Sequence, residues 1–150
     1  MQINSVMATP VRTATLGMTI ADAAREMRDA GIGCLVVANS DRAQGMITDR
    51  DIAVRCAAEG HDASVCTVGE HMSSPAFAVS ASTDVLEAAR LITEHRMKRL
   101  VVQDAGRVTG LVSLSDVAKA LDEPIHELMI GFGAVRRALP ARRGGAAQPA

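Results

Sequence analysis

The chain has 150 residues, 48% of them hydrophobic, with 16 Lys+Arg against 17 Asp+Glu and a formal net charge of −1. That is enough apolar content for one domain-sized core, and the charge balance argues against a general nucleic-acid binder, which carries a basic excess. With no Trp or Tyr, and Phe only at Phe77 and Phe132, base stacking has almost nothing to work with and the core falls to Val, Ile, Leu, Met and Ala.

Met1 to Pro10 lacks the basic start and apolar run of a signal peptide. No stretch approaches the ~18–20 apolar residues of a membrane span. The expectation is a cytoplasmic protein with no membrane partner. Val11 to Thr15 reads as a short strand. Thr19 then caps a helix whose Ile20, Ala23, Ala24 and Met27 follow the i, i+3, i+4, i+7 spacing of a buried face. Asp22 stands at the capping-box position and Gly31 ends the helix. Cys34 to Ala38 is an apolar run that suits a buried strand. A polar turn at Asn39-Ser40-Asp41-Arg42 leads to a further strand at Gly45-Met46-Ile47, and a helix begins near Arg50.

After a connector, Gly60 to Val68, the same order returns. Asp84 caps a helix with Glu87 at its third position and Val85, Ala88, Ala89 and Ile92 as its stripe. Arg99 to Val102 and Val108 to Val112 read as strands around the turn Asp104 to Arg107, and a last helix starts near Ser115. Beyond Leu121, Pro124 opens an amphipathic helical segment carrying Ile125, Leu128, Met129, Phe132 and Val135. Pro140 to Ala150 is rich in Pro, Gly, Ala and Arg, the composition of a disordered tail.

The return has a fixed offset. Sliding the chain by 65 positions places Met7 on Met72, Pro10 on Pro75, Ala23-Ala24-Arg25 on Ala88-Ala89-Arg90, Leu35-Val36-Val37 on Leu100-Val101-Val102, Gly45 on Gly110 and Asp51 on Asp116. Two copies are too few for a solenoid, which covers its apolar faces with three or more. They are expected to pack on each other about a pseudo-twofold axis as an α/β (α+β) fold of two β-α-β-β-α repeats, with clefts between them. The boundaries read as 3–60 for the first repeat, 61–70 for a linker, 71–121 for the second repeat, 122–139 for a C-terminal helical segment and 140–150 for the tail.

Each last strand enters its helix through one pattern: Gly45-Met46-Ile47-Thr48-Asp49-Arg50-Asp51 and Gly110-Leu111-Val112-Ser113-Leu114-Ser115-Asp116. A carboxylate accepts two hydrogen bonds and so matches a vicinal diol, and unpaired N–H groups at a helix start attract phosphate. The same spacing is also a capping box that merely satisfies the helix end. His95-Arg96-Met97-Lys98 precedes the second repeat's central strand and offers cations to a phosphate, or simply a basic helix end. The first repeat has Ala30-Gly31-Ile32-Gly33 in register, without charge. Cys34, Cys56 and Cys66 lack C-x-x-C spacing, and His61, His71, His95 and His126 lack ligand spacing, so no metal is assigned. No catalytic motif is present, and the chain reads as a binding module without enzymatic activity.

The duplicated Gly, apolar pair, hydroxyl and Asp resemble the ribose-phosphate signature of tandem CBS domains, over roughly residues 3–121. The segment Gly45 to Ile52 is especially similar to small stand-alone bacterial CBS-pair proteins of the hypoxic-response type, and the His-Arg pair resembles the stretch that meets phosphates in the γ subunit of AMP-activated protein kinase. The resemblance implies a regulatory module for AMP, ADP or ATP, or for NAD or S-adenosylmethionine, with no obligatory cofactor. Asp51 and Asp116 would take ribose, with Thr48 and Ser113 on ribose or phosphate. Arg50, His95, Arg96 and Lys98 would serve phosphate, and Ile32 and Met97 would pack on adenine. It also implies a homodimer that stacks into a four-repeat disc and signals to a protein client. The alternative is a ligand-free interaction adaptor on the same scaffold. Two departures concern the adenine walls: Val36 and Val101 stand where the family has Pro, and the Pro-Asp turn after the first strand is missing.

Overall fold

The computed structural model describes the backbone of residues 1–138 and the side chains of residues 1–130; the tail expected over 140–150 lies outside them. The first repeat comprises β1 (Thr13–Ala14), α1 (Ile20–Ala30), β2 (Cys34–Asn39), β3 (Arg42–Thr48) and α2 (Asp49–Asp51), which continues as a π-helical turn, Ile52–Ala57. The second comprises α3 (Val68–His71), β4 (Ala78–Val79), α4 (Val85–Glu94), β5 (Arg99–Asp104), β6 (Arg107–Ser113) and α5 (Leu114–Ala138). Each repeat forms a three-stranded sheet, β1-β2-β3 and β4-β5-β6, with one parallel and one antiparallel pairing. The α/β class and the duplicated architecture are those the sequence implied.

Local chemistry explains the elements. Thr19 Oγ1 accepts the Asp22 N–H at 3.1 Å, and Asp84 Oδ1 accepts the Leu86 N–H at 2.9 Å. These are single caps rather than full boxes: Asp22 turns outward to Arg25 at 2.6 Å and Glu87 to Arg90 at 3.7 Å. Ile20, Ala23 and Met27 of α1, and Val85, Ala88 and Ile92 of α4, are buried as their spacing requires. Leu35 to Val37 and Leu100 to Val102 are no more than 1% exposed, consistent with central strands covered on both faces. Both hairpins turn on two consecutive residues of positive φ, Ser40 and Asp41 (47° and 65°) and Ala105 and Gly106 (49° and 77°). That is the left-handed geometry that matches strand twist.

One feature of the packing is invisible to periodicity: the leading segment of each repeat crosses to the other. Ile3 is fully buried, its N–H donates to Thr83 O at 2.9 Å, and the Asn4 N–H donates to Ala81 O at 2.9 Å. In register with Ile3, Val68 at the start of α3 sits in the first repeat's core, and its N–H donates to Met18 O at 2.8 Å. Further on, Ala8 bridges to Leu111 of β6 and Ser73 to Met46 of β3, both antiparallel. Strands β3 and β6 pack against each other between the repeats. The sequence does carry a signal for α3 that the 61–70 linker overlooked: Thr67-Val68-Gly69-Glu70 has capping-box spacing, and the Thr67 N–H donates to Glu70 Oε2 at 2.6 Å.

The C-terminus differs from expectation. Pro124 does not open a separate helix but lies within α5. Proline has no N–H to give to the carbonyl four residues back, Ala120, and one lost bond is tolerated in a helix this long. Met1–Val117 forms one compact unit, and the chain from Ala118 belongs to a second. In that second unit Ile125, Leu128, Met129 and Ile130 are 58–73% exposed. No helix among the described residues is long and apolar enough to cross a membrane.

Candidate functional site

Strand β3 delivers Thr48 to the N-cap of α2 in extended conformation (φ −116°, ψ 161°). Thr48 Oγ1 accepts the Asp51 N–H at 3.1 Å, and Asp51 Oδ2 accepts the Thr48 N–H at 3.0 Å. The second repeat repeats the device. Ser113 Oγ accepts the Asp116 N–H at 3.2 Å, while Asp116 Oδ2 accepts the Ser113 N–H at 2.8 Å and its hydroxyl at 2.5 Å. Both acids therefore commit one oxygen to their own helix ends. Asp51 keeps Oδ1, which has only a distant ion pair with Arg55 Nε at 3.7 Å, and its side chain is 14% exposed.

The unpaired N–H groups expected to attract phosphate are occupied. The Asp49 N–H donates to Gly33 O at 3.0 Å and the Arg50 N–H to Asp49 Oδ1 at 2.8 Å, with the Asp51 N–H taken by Thr48. An anion at this helix start must be held by side chains.

Those side chains converge. A cleft of about 550 Å³ is lined by Met46, Thr48, Asp49, Arg50 and Asp51 of the first repeat, by the crossing segment Ser73 to Phe77, and by Arg96, Met97, Lys98 and Arg99 of the second. Four cations face two carboxylates, and among the described residues none of Arg50, Arg96, Lys98 or Arg99 has an ion-pair partner within 4.0 Å. An excess of unpaired positive charge in a walled cleft focuses the field on an anion. Arg96 is placed there by an uncommon backbone, φ 51°, just beyond α4; the residue in register, Gly31, ends α1 at φ 65°. Both helices close alike, with Ile32 N–H donating to Met27 O at 2.9 Å and Met97 N–H to Ile92 O at 3.1 Å. Glycine suits that left-handed position, whereas arginine is strained there.

Of the residues singled out from sequence, Thr48, Arg50, Asp51, Arg96, Met97 and Lys98 line this one cleft. His95 is not in its lining; its ring packs on Phe77, with centroids 4.7 Å apart and planes tilted by 37°. Ile32 lines a different groove of about 520 Å³ with Met27, Arg28, Asp49 and Ile52, and Ser113 and Asp116 line neither. Sequence reading missed Arg99 and the crossing segment. Phe77 had a signal, being the first of only two aromatics in the chain, and it is 47% exposed at the cleft wall. Burial pushes the Cys34 thiol above its ordinary value, with Arg99 opposing that rise and Asp49 adding to it.

The CBS domain family matches residues 3–57 and 68–123. The CBS domain-containing protein YhcV of Bacillus subtilis is 33% identical over 116 residues, 77% of this chain and 82% of that protein. Hypoxic response protein 1 of Mycobacterium tuberculosis is 35% identical over 106 residues, 70% of this chain and 74% of the relative. A crystal structure of hypoxic response protein I with two coordinated zinc ions superposes with a TM-score of 0.72 at 30% identity, covering 79% of this chain and 98% of the other. A protein with CBS domains from Burkholderia ambifaria gives a TM-score of 0.74 at 31% identity, covering 81% and 93%. The duplicated architecture and these matches to both halves place the chain in the CBS-domain family, as a tandem pair.

Proposed function

We propose that the chain is a regulatory, non-catalytic module that binds an adenosyl ligand in the cleft between the Thr48–Asp51 cap and the Arg96–Arg99 segment. The observation that carries this reading is the meeting, in one 550 Å³ cleft, of a carboxylate with one oxygen outside its cap, held only by the distant Arg55, and four cations without ion-pair partners among the described residues. Asp51 Oδ1 would accept a ribose hydroxyl and Arg50, Arg96 and Lys98 would hold phosphate through charge-assisted hydrogen bonds. Met97 and the exposed face of Phe77 would cover the base. Ser113 and Asp116 form the corresponding cap of the second repeat, and the segment in register with Arg96-Met97-Lys98 is Gly31-Ile32-Gly33, which carries no cation, so the two repeats are chemically unequal.

Thermal unfolding and calorimetry with AMP, ADP, ATP, NAD, S-adenosylmethionine and plain adenosine test this. A ligand at 100 times its Kd adds about 2.7 kcal/mol to stability, and phosphate-bearing ligands should exceed adenosine. Asp51→Ala and Asp116→Ala each remove the carboxylate arm of one capping box, leaving the Thr48 or Ser113 cap in place, and should each cost about 1 kcal/mol of stability. Only Asp51→Ala should also abolish the ligand-induced shift. An Asp51→Ala protein that keeps the full shift removes the carboxylate from the site, and no shift with any of these ligands removes the reading.

A ligand-free adaptor is the second reading, and the four exposed apolar side chains Ile125, Leu128, Met129 and Ile130 favour it, since an apolar patch of this kind marks a contact surface. A second copy of the chain is the proposed occupant, giving a homodimer. Replacing Leu128 and Met129 with Asp should then lower the mass seen by light scattering from dimer to monomer. An unchanged mass would remove the patch from self-association.

A further inference from the structure

We infer that Cys56, Cys66 and His71 form a binding site for a divalent metal ion of the zinc class, separate from the cationic cleft and independent of its reading. The three come from different stretches: Cys56 from the π-helical end of the first repeat, Cys66 from the connector and His71 from α3. One donor atom from each lies within 4.8 Å of the other two. Zinc bound at ~2.3 Å to sulfur and ~2.0 Å to nitrogen holds tetrahedral donors about 3.5–3.8 Å apart, so a contraction of about 1 Å closes the set.

The histidine supplies the observation that separates a site from inert core thiols. His71 is the only buried polar or charged side chain among the described residues, at 7% exposed. Its Nε2 is buried with no hydrogen-bond partner. A buried imidazole nitrogen normally has a partner, and a metal ion would be one. Cys56, at 1% exposed, is shielded from solvent. His61 is the candidate for the fourth position, its ring 5.3 Å from that of His71 between centroids. Spacing along the chain hid this set, because Cys56, Cys66 and His71 follow none of the short ligand intervals of zinc motifs.

Coordination would tie the end of the first repeat, the connector and the first turn of the second repeat at one point. No electron transfer is involved: two thiols release protons and bind the cation as thiolates.

The test uses the full chain, reduced and freed of metal, titrated without oxygen with Co²⁺ and then Zn²⁺. Uptake of one ion per chain is expected, with thiolate-to-cobalt charge transfer in the near ultraviolet, tetrahedral d–d bands in the visible, and displacement by Zn²⁺. Cys56 is packed in the core and its variants risk misfolding, so the variants are Cys66→Ser at the half-buried position and His71→Gln, each checked by circular dichroism. Changes behind a ligand cost about 10–100-fold in affinity, so loss of a ligand itself should cost at least about 100-fold. Cys66→Ser should also weaken the charge-transfer band. Absence of uptake by the reduced protein overturns the site. So does uptake that both folded variants leave unchanged.

Discussion

Gly45→Ala is expected to destabilise the protein by about 3–5 kcal/mol, the sum of overpacking at about 1–3 kcal/mol and of two hydrogen bonds worth about 1 kcal/mol each. A Cβ at Gly45 would stand 2.3 Å from Ser73 O and 3.0 Å from Met72 Sδ. Backbone cannot swing aside as a side chain can. The crossing segment would have to retreat, loosening both bonds of the bridge, Met46 N–H to Ser73 O and Ser73 N–H to Met46 O, each 2.9 Å. Gly110 sits in the same register, but there the Cβ meets Met7, with Sδ at 2.4 Å and Cγ at 2.9 Å. A flexible thioether can rearrange, so Gly110→Ala should cost less, about 1 kcal/mol, and Met7→Ala should relieve it. Urea unfolding checks both: the midpoint should fall with little change in slope. Equal costs at the two glycines would mean that the crossing backbone is not what fixes Gly45. Because Ser73 to Phe77 also lines the cleft, Gly45→Ala should weaken ligand as well.

Arg96→Gly is expected to move stability and ligand affinity in opposite directions. Left-handed backbone costs a side-chain-bearing residue about 1–2 kcal/mol, part of which glycine's unfolded-state freedom takes back. The variant should therefore be more stable by about 0.5–1 kcal/mol. A hydrogen bond to a charged group is worth about 1.5–3 kcal/mol, so affinity for a phosphate-bearing adenosyl ligand should fall about 10–150-fold, with a weaker salt dependence. Affinity for adenosine should hardly change. A purely structural Arg96 predicts something else, a stability change with no change in ligand affinity, and calorimetry on the stable variant separates the two.

Much of the architecture was legible in the residues. The 65-position offset foretold two copies of one unit, and the buried faces of α1 and α4 follow from the spacing of Ile20, Ala23 and Met27 and of Val85, Ala88 and Ile92. The site was half legible. Thr48, Asp51, Arg96 and Lys98 carry their chemistry openly, yet the cap geometry shows the same atoms serving the helix end, and the helix N–H groups expected for phosphate are already bonded. Gly45 read as part of a ligand signature, and its close approach to Ser73 gives it a packing role.

What the sequence determined alone is local: most of the strands and helices, the caps that start α1 and α4, and that the pattern occurs twice. Hydrophobic spacing and caps act over a turn or a strand, so one copy carries the whole instruction. The tertiary structure decided which copy each segment serves. Ile3 and Val68 could by pattern have packed within their own repeats, and only the fit of the two cores sends each across. That exchange brings an acid of one repeat against cations of the other and draws Cys56, Cys66 and His71 to one point. Contacts between residues far apart in the chain depend on shape and volume summed over both copies, and no periodicity records that sum.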